Sequence, residues 1–171
     1  LTNLGSGVFE NCSGFSGSLR LSPNAPVPNG AFSGCSGFTG TLTIPDKVTV
    51  VGRDAFKDCS GFTELIFGRG LTEIQDGAFE NCSGFTGPLV IPDYITSLGS
   101  SAFAHCSGFT SLTLGNGATT IPRYCFYYCD GLEEVFLPDT VTCIEDYSLY
   151  IDKNYRWIPT YFQGSREDWA L

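Results

Sequence analysis

Six cysteines stand at Cys12, Cys35, Cys59, Cys82, Cys106 and Cys129, separated by 23, 24, 23, 24 and 23 residues. This internal period constrains the fold more than any single motif, because everything around the cysteines moves with them. Three residues before each stands Phe9, Phe32, Phe56, Phe79, Phe103 or Phe126, itself preceded by Val8, Ala31, Ala55, Ala78, Ala102 or Cys125. Two residues after each cysteine is Gly14, Gly37, Gly61, Gly84, Gly108 or Gly131. An apolar plug follows directly: Phe15, Phe38, Phe62, Phe85, Phe109 or Leu132. A unit of this size cannot bury its own apolar residues, so neighbouring units must stack into a solenoid.

Each unit predicts two extended segments. The first covers residues 19–21, 42–44, 65–67, 89–91, 112–114 and 135–137, with apolar outer residues at the period of two that marks a half-buried strand. The second is shorter and carries Val48 and Val51, Leu71 and Ile74, Ile95 and Leu98, Ala118 and Ile121, or Val141 and Ile144. A Pro or Gly at the end of the first segment (Pro23, Pro45, Gly68, Pro92, Gly115, Pro138) makes the corner between them. The glycine two residues after each cysteine is expected at a second corner, with a positive φ. Gly17, Gly40 and Gly87 each add one residue before the first strand, which a β-bulge can absorb. Coils spaced about 4.8 Å apart along parallel sheets would give a stack about 30 Å long.

Residues 1–144 therefore read as a β-rich solenoid of about six coils. Residues 145–171 break the period and are rich in Tyr and Trp. They read as an aromatic C-terminal cap, or as the start of a following unit, within one domain.

Charged residues are 16% of the chain against about 25% in ordinary soluble domains, while aromatic content reaches 14%. Little charge with 21 glycines describes a chain that turns often and buries much of each turn. The net charge of −9 argues against nucleic acid and against anionic membrane surfaces, since nothing here neutralises a run of phosphates. No apolar run approaches the roughly 20 residues that span a bilayer as a helix. The first residue is Leu and Met is absent, which reads as a mature or excised piece whose export signal or anchor is out of view.

The A-F-x-x-C turn followed by an L-x-I-P strand resembles the BspA-like leucine-rich repeat family over roughly residues 1–144. That family occurs mostly in surface and secreted proteins of host-associated bacteria and some protozoa. The resemblance implies a right-handed, leucine-rich-repeat-like superhelix with a parallel β-sheet and short turns or helical corners. It also implies an extracellular or cell-surface location and a role in adhesion or protein recognition without enzymatic activity. The tail resembles aromatic segments that often follow such repeats.

Candidate chemistry has to be weighed against packing. Eight cysteines in an exported chain would suggest disulfides, and stacked coils put column neighbours within bridging distance. Residues in register all point into the core, however, where a free Cys behaves as a small hydrophobe with a weak S–H donor for a corner carbonyl. The six-membered column therefore reads first as a structural thiol ladder, with vertical bridges, a Cys125–Cys143 bridge and metal binding as alternatives. Zinc wants paired short spacings, and no C-x-x-C is present. The only histidine, His105, occupies a variable turn slot shared with Asn11, Gly34, Asp58, Asn81 and Tyr128, and a catalytic pair with Cys106 would strain that turn. Asp46, Asp93 and Asp139 share one corner position, at most one acid per coil and interrupted by Arg69 and Asn116, too sparse for calcium and suited to turn chemistry. No catalytic, metal or cofactor-binding residue is assigned.

What remains is a surface. The outward positions of the first strands are Arg20, Thr43, Ile66, Val90, Thr113 and Phe136, flanked among others by Glu64 and Glu134. Apolar residues at such positions suit a strand, but rimmed by polar groups they also mark interaction sites. The expected partner is a protein, a host or cell-surface ligand. The alternative is a structural spacer that displays another domain of a larger surface protein.

Overall fold

The computed structural model describes residues 3–151 and 158–162. Eleven short strands alternate between two faces. On the first face lie β1 (Gly40–Thr43), β3 (Phe62–Ile66), β5 (Gly87–Ile91), β7 (Phe109–Leu114), β9 (Glu134–Leu137) and β11 (Thr160–Phe162). On the second lie β2 (Val50–Val51), β4 (Glu73–Ile74), β6 (Ser97–Leu98), β8 (Thr120–Ile121) and β10 (Cys143–Ile144). Every ladder is parallel, as stacking of like segments demands. The chain is thus a β-solenoid of about five regular turns, each near 23 residues.

The first predicted segment of coil one departs from this pattern. Residues 19–21 form no strand, and coil one joins the first face only through a bridge between Gly17 and Phe38. These residues run from a left-handed Gly17 (φ 80) to Pro23, a glycine-to-proline stretch that favours a turn over an extended strand. Coil one contributes instead to the second face, where Val27 bridges Val51. The corners contain no helix among the described residues, and hydrogen-bonded turns take the place of the helical corners.

A third side of each coil is such a turn, stitched to its neighbours by the backbone. The N–H of Phe32, Phe56, Phe79 and Phe126 each donates to the next coil at 2.8 Å, to Ala55, Ala78, Ala102 and Ser148 respectively. The turn continues past residue 144, with Ser148 standing where other coils carry Ala and Leu149 where they carry Phe.

The inserted glycines do absorb length as bulges. Gly40 and Gly87 adopt φ 79 and 77, and the ladders slip by one residue immediately after each. The glycine two after each cysteine behaves otherwise than expected, because none of these six takes a positive φ. Its constraint is close approach. A Cβ on Gly84 would drive into the carbonyl oxygens of Ser60 and Phe62 in the preceding coil, and one on Gly108 into Phe85 O. Left-handed residues sit at the slot before Cys instead, at Asn11, Gly34, Asp58, Asn81, His105 and Tyr128, and again five residues before Cys, at Gly7, Gly30, Asp54, Gly77, Ser101 and Tyr124.

Two ring columns fill the core. Phe9, Phe32, Phe56, Phe79, Phe103 and Phe126 stack with centroid spacings of 5.4, 5.4, 5.6, 5.3 and 5.6 Å. Phe15, Phe38, Phe62, Phe85 and Phe109 form the second column and meet the first edge-on. Phe79 is fully buried, whereas Phe15 in the first coil is 41% exposed. Phe79→Ala should therefore cost about 3–5 kcal/mol and Phe15→Ala under about 1 kcal/mol, read from denaturant midpoints. Equal losses would mean that the stack is not the main source of stability.

Candidate interaction surface

The cysteine column lies beside the ring columns. All eight cysteines are free. The thiol of Cys35 donates to Phe9 O at 3.0 Å, Cys59 to Phe32 O at 3.0 Å, and Cys82 to Phe56 O at 3.0 Å. Cys106 and Cys129 repeat the contact with Phe79 O and Phe103 O at 3.1 Å. Each of these carbonyls also accepts the N–H of the cysteine three residues on in its own turn, so the thiol serves its second lone pair. Burial pushes the thiols of Cys59 and Cys129 up to about 12 and those of Cys82, Cys106 and Cys125 well above the ordinary range. A thiol held protonated is a poor nucleophile.

The other candidates for chemistry disperse in the same way. Exposed His105 stacks on Tyr128 at 5.5 Å and meets Tyr127 edge-on, while the neighbouring Cys106 thiol points to Phe79 O. Asp46 accepts the N–H of Arg69 at 2.9 Å and Asp93 that of Asn116 at 2.8 Å. These carboxylates tie one corner to the next. Among the described residues no group of His, Cys, Asp and Glu gathers as a metal site.

On the outer side of the first face, register places Thr43 beside Ile66, and Val90, Thr113 and Phe136 in one row. Ile66 is 45% and Val90 53% exposed, and Thr113 and Phe136 are half-buried. Arg20 is exposed but belongs to neither ladder. The two groups are separated, because no ladder joins β3 to β5. Pro88 offers no N–H in β5, and bulky Phe67 replaces the Ile or Leu of other coils at the end of the strand. The Tyr94 hydroxyl bridges the two coils by donating to Phe67 O at 3.1 Å. Glu64 flanks the first group and accepts from Thr41 Oγ1 at 2.7 Å, and half-buried Glu134 flanks the second opposite Ser111.

The row has one further member. β11 pairs with β9 so that Tyr161 lies opposite Phe136, their rings stacked at 5.0 Å. Tyr161 stands 25 residues after Phe136, one more than the longest regular coil, and that offset hides it from a search at the repeat period. Of the tail aromatics, Tyr155, Trp157 and Trp169 lie outside the described residues.

Parallel ladders, a phenylalanine-and-cysteine core and a variable outer row define a leucine-rich-repeat-like β-solenoid that varies its surface on a constant interior. A family model for the BspA-type leucine-rich repeat region matches residues 25–156 with six copies. The chain belongs to the BspA-type leucine-rich repeat family. It resembles the crystal structure of a leucine-rich cell surface protein from Faecalibacterium prausnitzii, with TM-score 0.55 and 16% identity. A T. pallidum leucine-rich repeat protein matches at TM-score 0.55 and 25% identity, over 70% of this chain. The pneumococcal vaccine antigen PcpA matches at TM-score 0.57 and 17% identity, over 79% of this chain. The first match covers 99% of this chain, and the chain spans 71%, 66% and 38% of these three structures respectively. A comparison with curated protein sequences finds no match.

Proposed function

We propose that the chain is a non-enzymatic protein-recognition module of a bacterial cell surface, engaging a protein ligand through the outer row of its first face. The observation that carries this reading is the exposure of Val90 in a row continued by the stacked Phe136–Tyr161 pair, with exposed Ile66 on the neighbouring ladder. Strand propensity accounts for a β-branched residue at a pleated position. It does not account for an aromatic pair stacked on the outer surface, and rings at a surface are the anchors from which interfaces are built. The polar rim of Thr41, Glu64, Ser111 and Glu134 suits the same role. Membership of a repeat family and likeness to a cell-surface protein support the location.

Beads coated with the chain and presented to cultured epithelial cells provide the test. The triple variant Ile66→Thr, Val90→Thr, Phe136→Thr should keep its circular dichroism spectrum and lose adhesion by about tenfold or more. Unchanged adhesion would remove the outer row from the binding surface. Beads of the native chain that fail to adhere to any cell or matrix surface would favour the spacer reading.

A further inference from the structure

The turn side of the solenoid changes character along its length. In the early coils its surface is polar, with Glu10, Asp54, Lys57, Asp58 and Glu80. In the late coils the corresponding positions carry Tyr124, Tyr127, Tyr128, Tyr147 and Tyr150, beside His105. These six rings touch one another, with Tyr124 stacked on Tyr147 at 5.4 Å and Tyr127 meeting Tyr128 edge-on at 4.4 Å. Tyr147 is 55% and Tyr150 39% exposed.

The backbone makes this cluster unusual. Tyr124, Tyr128, Tyr147 and His105 hold φ values of 60, 52, 59 and 60, in the left-handed region. A bulky residue is a genuine outlier there. Coils one, two and four place Gly7, Gly30 and Gly77 where Tyr124 and Tyr147 stand, and coils one and four place Asn11 and Asn81 where Tyr128 stands. The chain accepts strain to present rings where its own repeat offers cheaper residues, and such strain collects at functional sites.

The cluster also shows which chemistry it receives. The Arg123 guanidinium lies 5.9 Å above the Tyr124 ring while its Nη2 is 2.8 Å from the Asp146 carboxylate. Arg53 and Asp76 make the same salt bridge in an earlier coil, but residue 54 beside them is Asp and supplies no ring. Rings with exposed carboxylates at Glu145 and Asp146, on a chain of net charge −9, complement a cation that is planar enough to stack. We propose that the tyrosine cluster on the late turns is a second docking surface, which binds arginine-bearing segments of a protein partner by stacking guanidinium groups on Tyr147 and its neighbours.

The probe is a fluorescein-labelled peptide of nine arginines, compared with its lysine counterpart by anisotropy in about 150 mM salt, where long-range attraction is largely screened. The arginine peptide should bind about tenfold more tightly. The variant Tyr124→Gly, Tyr128→Asn, Tyr147→Gly restores the residues of the earlier coils. It should lose that preference while melting no lower than the native chain. Tyr147→Asn alone, at the most exposed tyrosine of the cluster, should lose at least about threefold of it, and decides the matter if the triple variant fails to fold. Asp54→Asn with Asp58→Asn, on the early turns, should weaken both peptides alike. Equal binding of the two peptides, or an arginine preference that survives loss of the rings, overturns the proposal. So does tighter binding of an oligoproline peptide, or a tyrosine-dependent dimer in sedimentation.

Discussion

Gly84→Ala and Gly108→Ala each lower the unfolding free energy by about 3 kcal/mol or more, while the chemically identical Gly14→Ala changes it by no more than about 0.5 kcal/mol. All three glycines occupy the same place after a cysteine and none has a positive φ, so backbone conformation cannot separate them. Distance to the coil before does. A Cβ at Gly84 or Gly108 would lie well inside the 3.0 Å that real Cβ atoms keep, and the atoms it meets there are backbone carbonyl oxygens of residues 60, 62 and 85. Those oxygens belong to a turn stitched to both neighbours, so they cannot swing aside as a side chain would. At Gly14 nothing lies within 4 Å of the added carbon. Guanidinium denaturation of the three variants measures the contrast. Similar losses at all three would show that a local property of the turn, and not coil-to-coil approach, selects glycine.

Raising the pH above about 9 should unfold the protein through its thiols. In the unfolded chain a cysteine ionises near its ordinary value, at about 8.5–9. In the folded chain Cys59 and Cys129 hold their protons up to about 12, and Cys82, Cys106 and Cys125 are likewise pushed upward, in each case chiefly by burial. The folded state thus binds more protons than the unfolded one above pH 9, so stability is complete below that value and falls as pH rises towards 12. The slope is about 1.4 kcal/mol per pH unit for each thiol. Five thiols together would remove about 7 kcal/mol per unit, against a total stability of about 5–15 kcal/mol for a domain. Denaturant midpoints from pH 7 to pH 11 follow the loss, and Cys82→Ala with Cys106→Ala should reduce the slope by about two fifths. Thiol labelling gives an independent reading. At neutral pH exposed Cys143 should react fast and half-buried Cys12 slowly, with the other six appearing only on unfolding. A flat pH profile, or prompt labelling of all eight cysteines in the folded protein, would contradict the buried ladder.

Much of this architecture is legible in the linear chain, for a definite reason. Whether a residue points inward depends on its place within its own coil, and the period prints that place six times over. Leu42, Leu65, Leu89, Leu112 and Val135 can be aligned by eye, and they are the residues that register brings side by side or close to it. The bulges at Gly40 and Gly87 are readable too, because a single extra residue must go somewhere and a left-handed glycine before a strand accepts it. The outer rows followed from the same alternation.

Other features depend on distances between coils, which repetition does not encode. The glycine after each cysteine looks like a turn residue and is in fact a spacer between backbones. The left-handed positions fall not only on Gly, Asn and Asp, which turn rules nominate, but also on three tyrosines, which they do not. Arg20 sits at the right phase of the repeat but lies between a left-handed Gly17 and Pro23 and stays out of the sheet. Tyr161 is out of phase yet completes the outer row, because a strand needs only an edge with free partners and the right spacing to join. The period therefore specifies the interior, where every coil meets the same requirement. The surface, where coils differ, depends on which of them come close enough to touch.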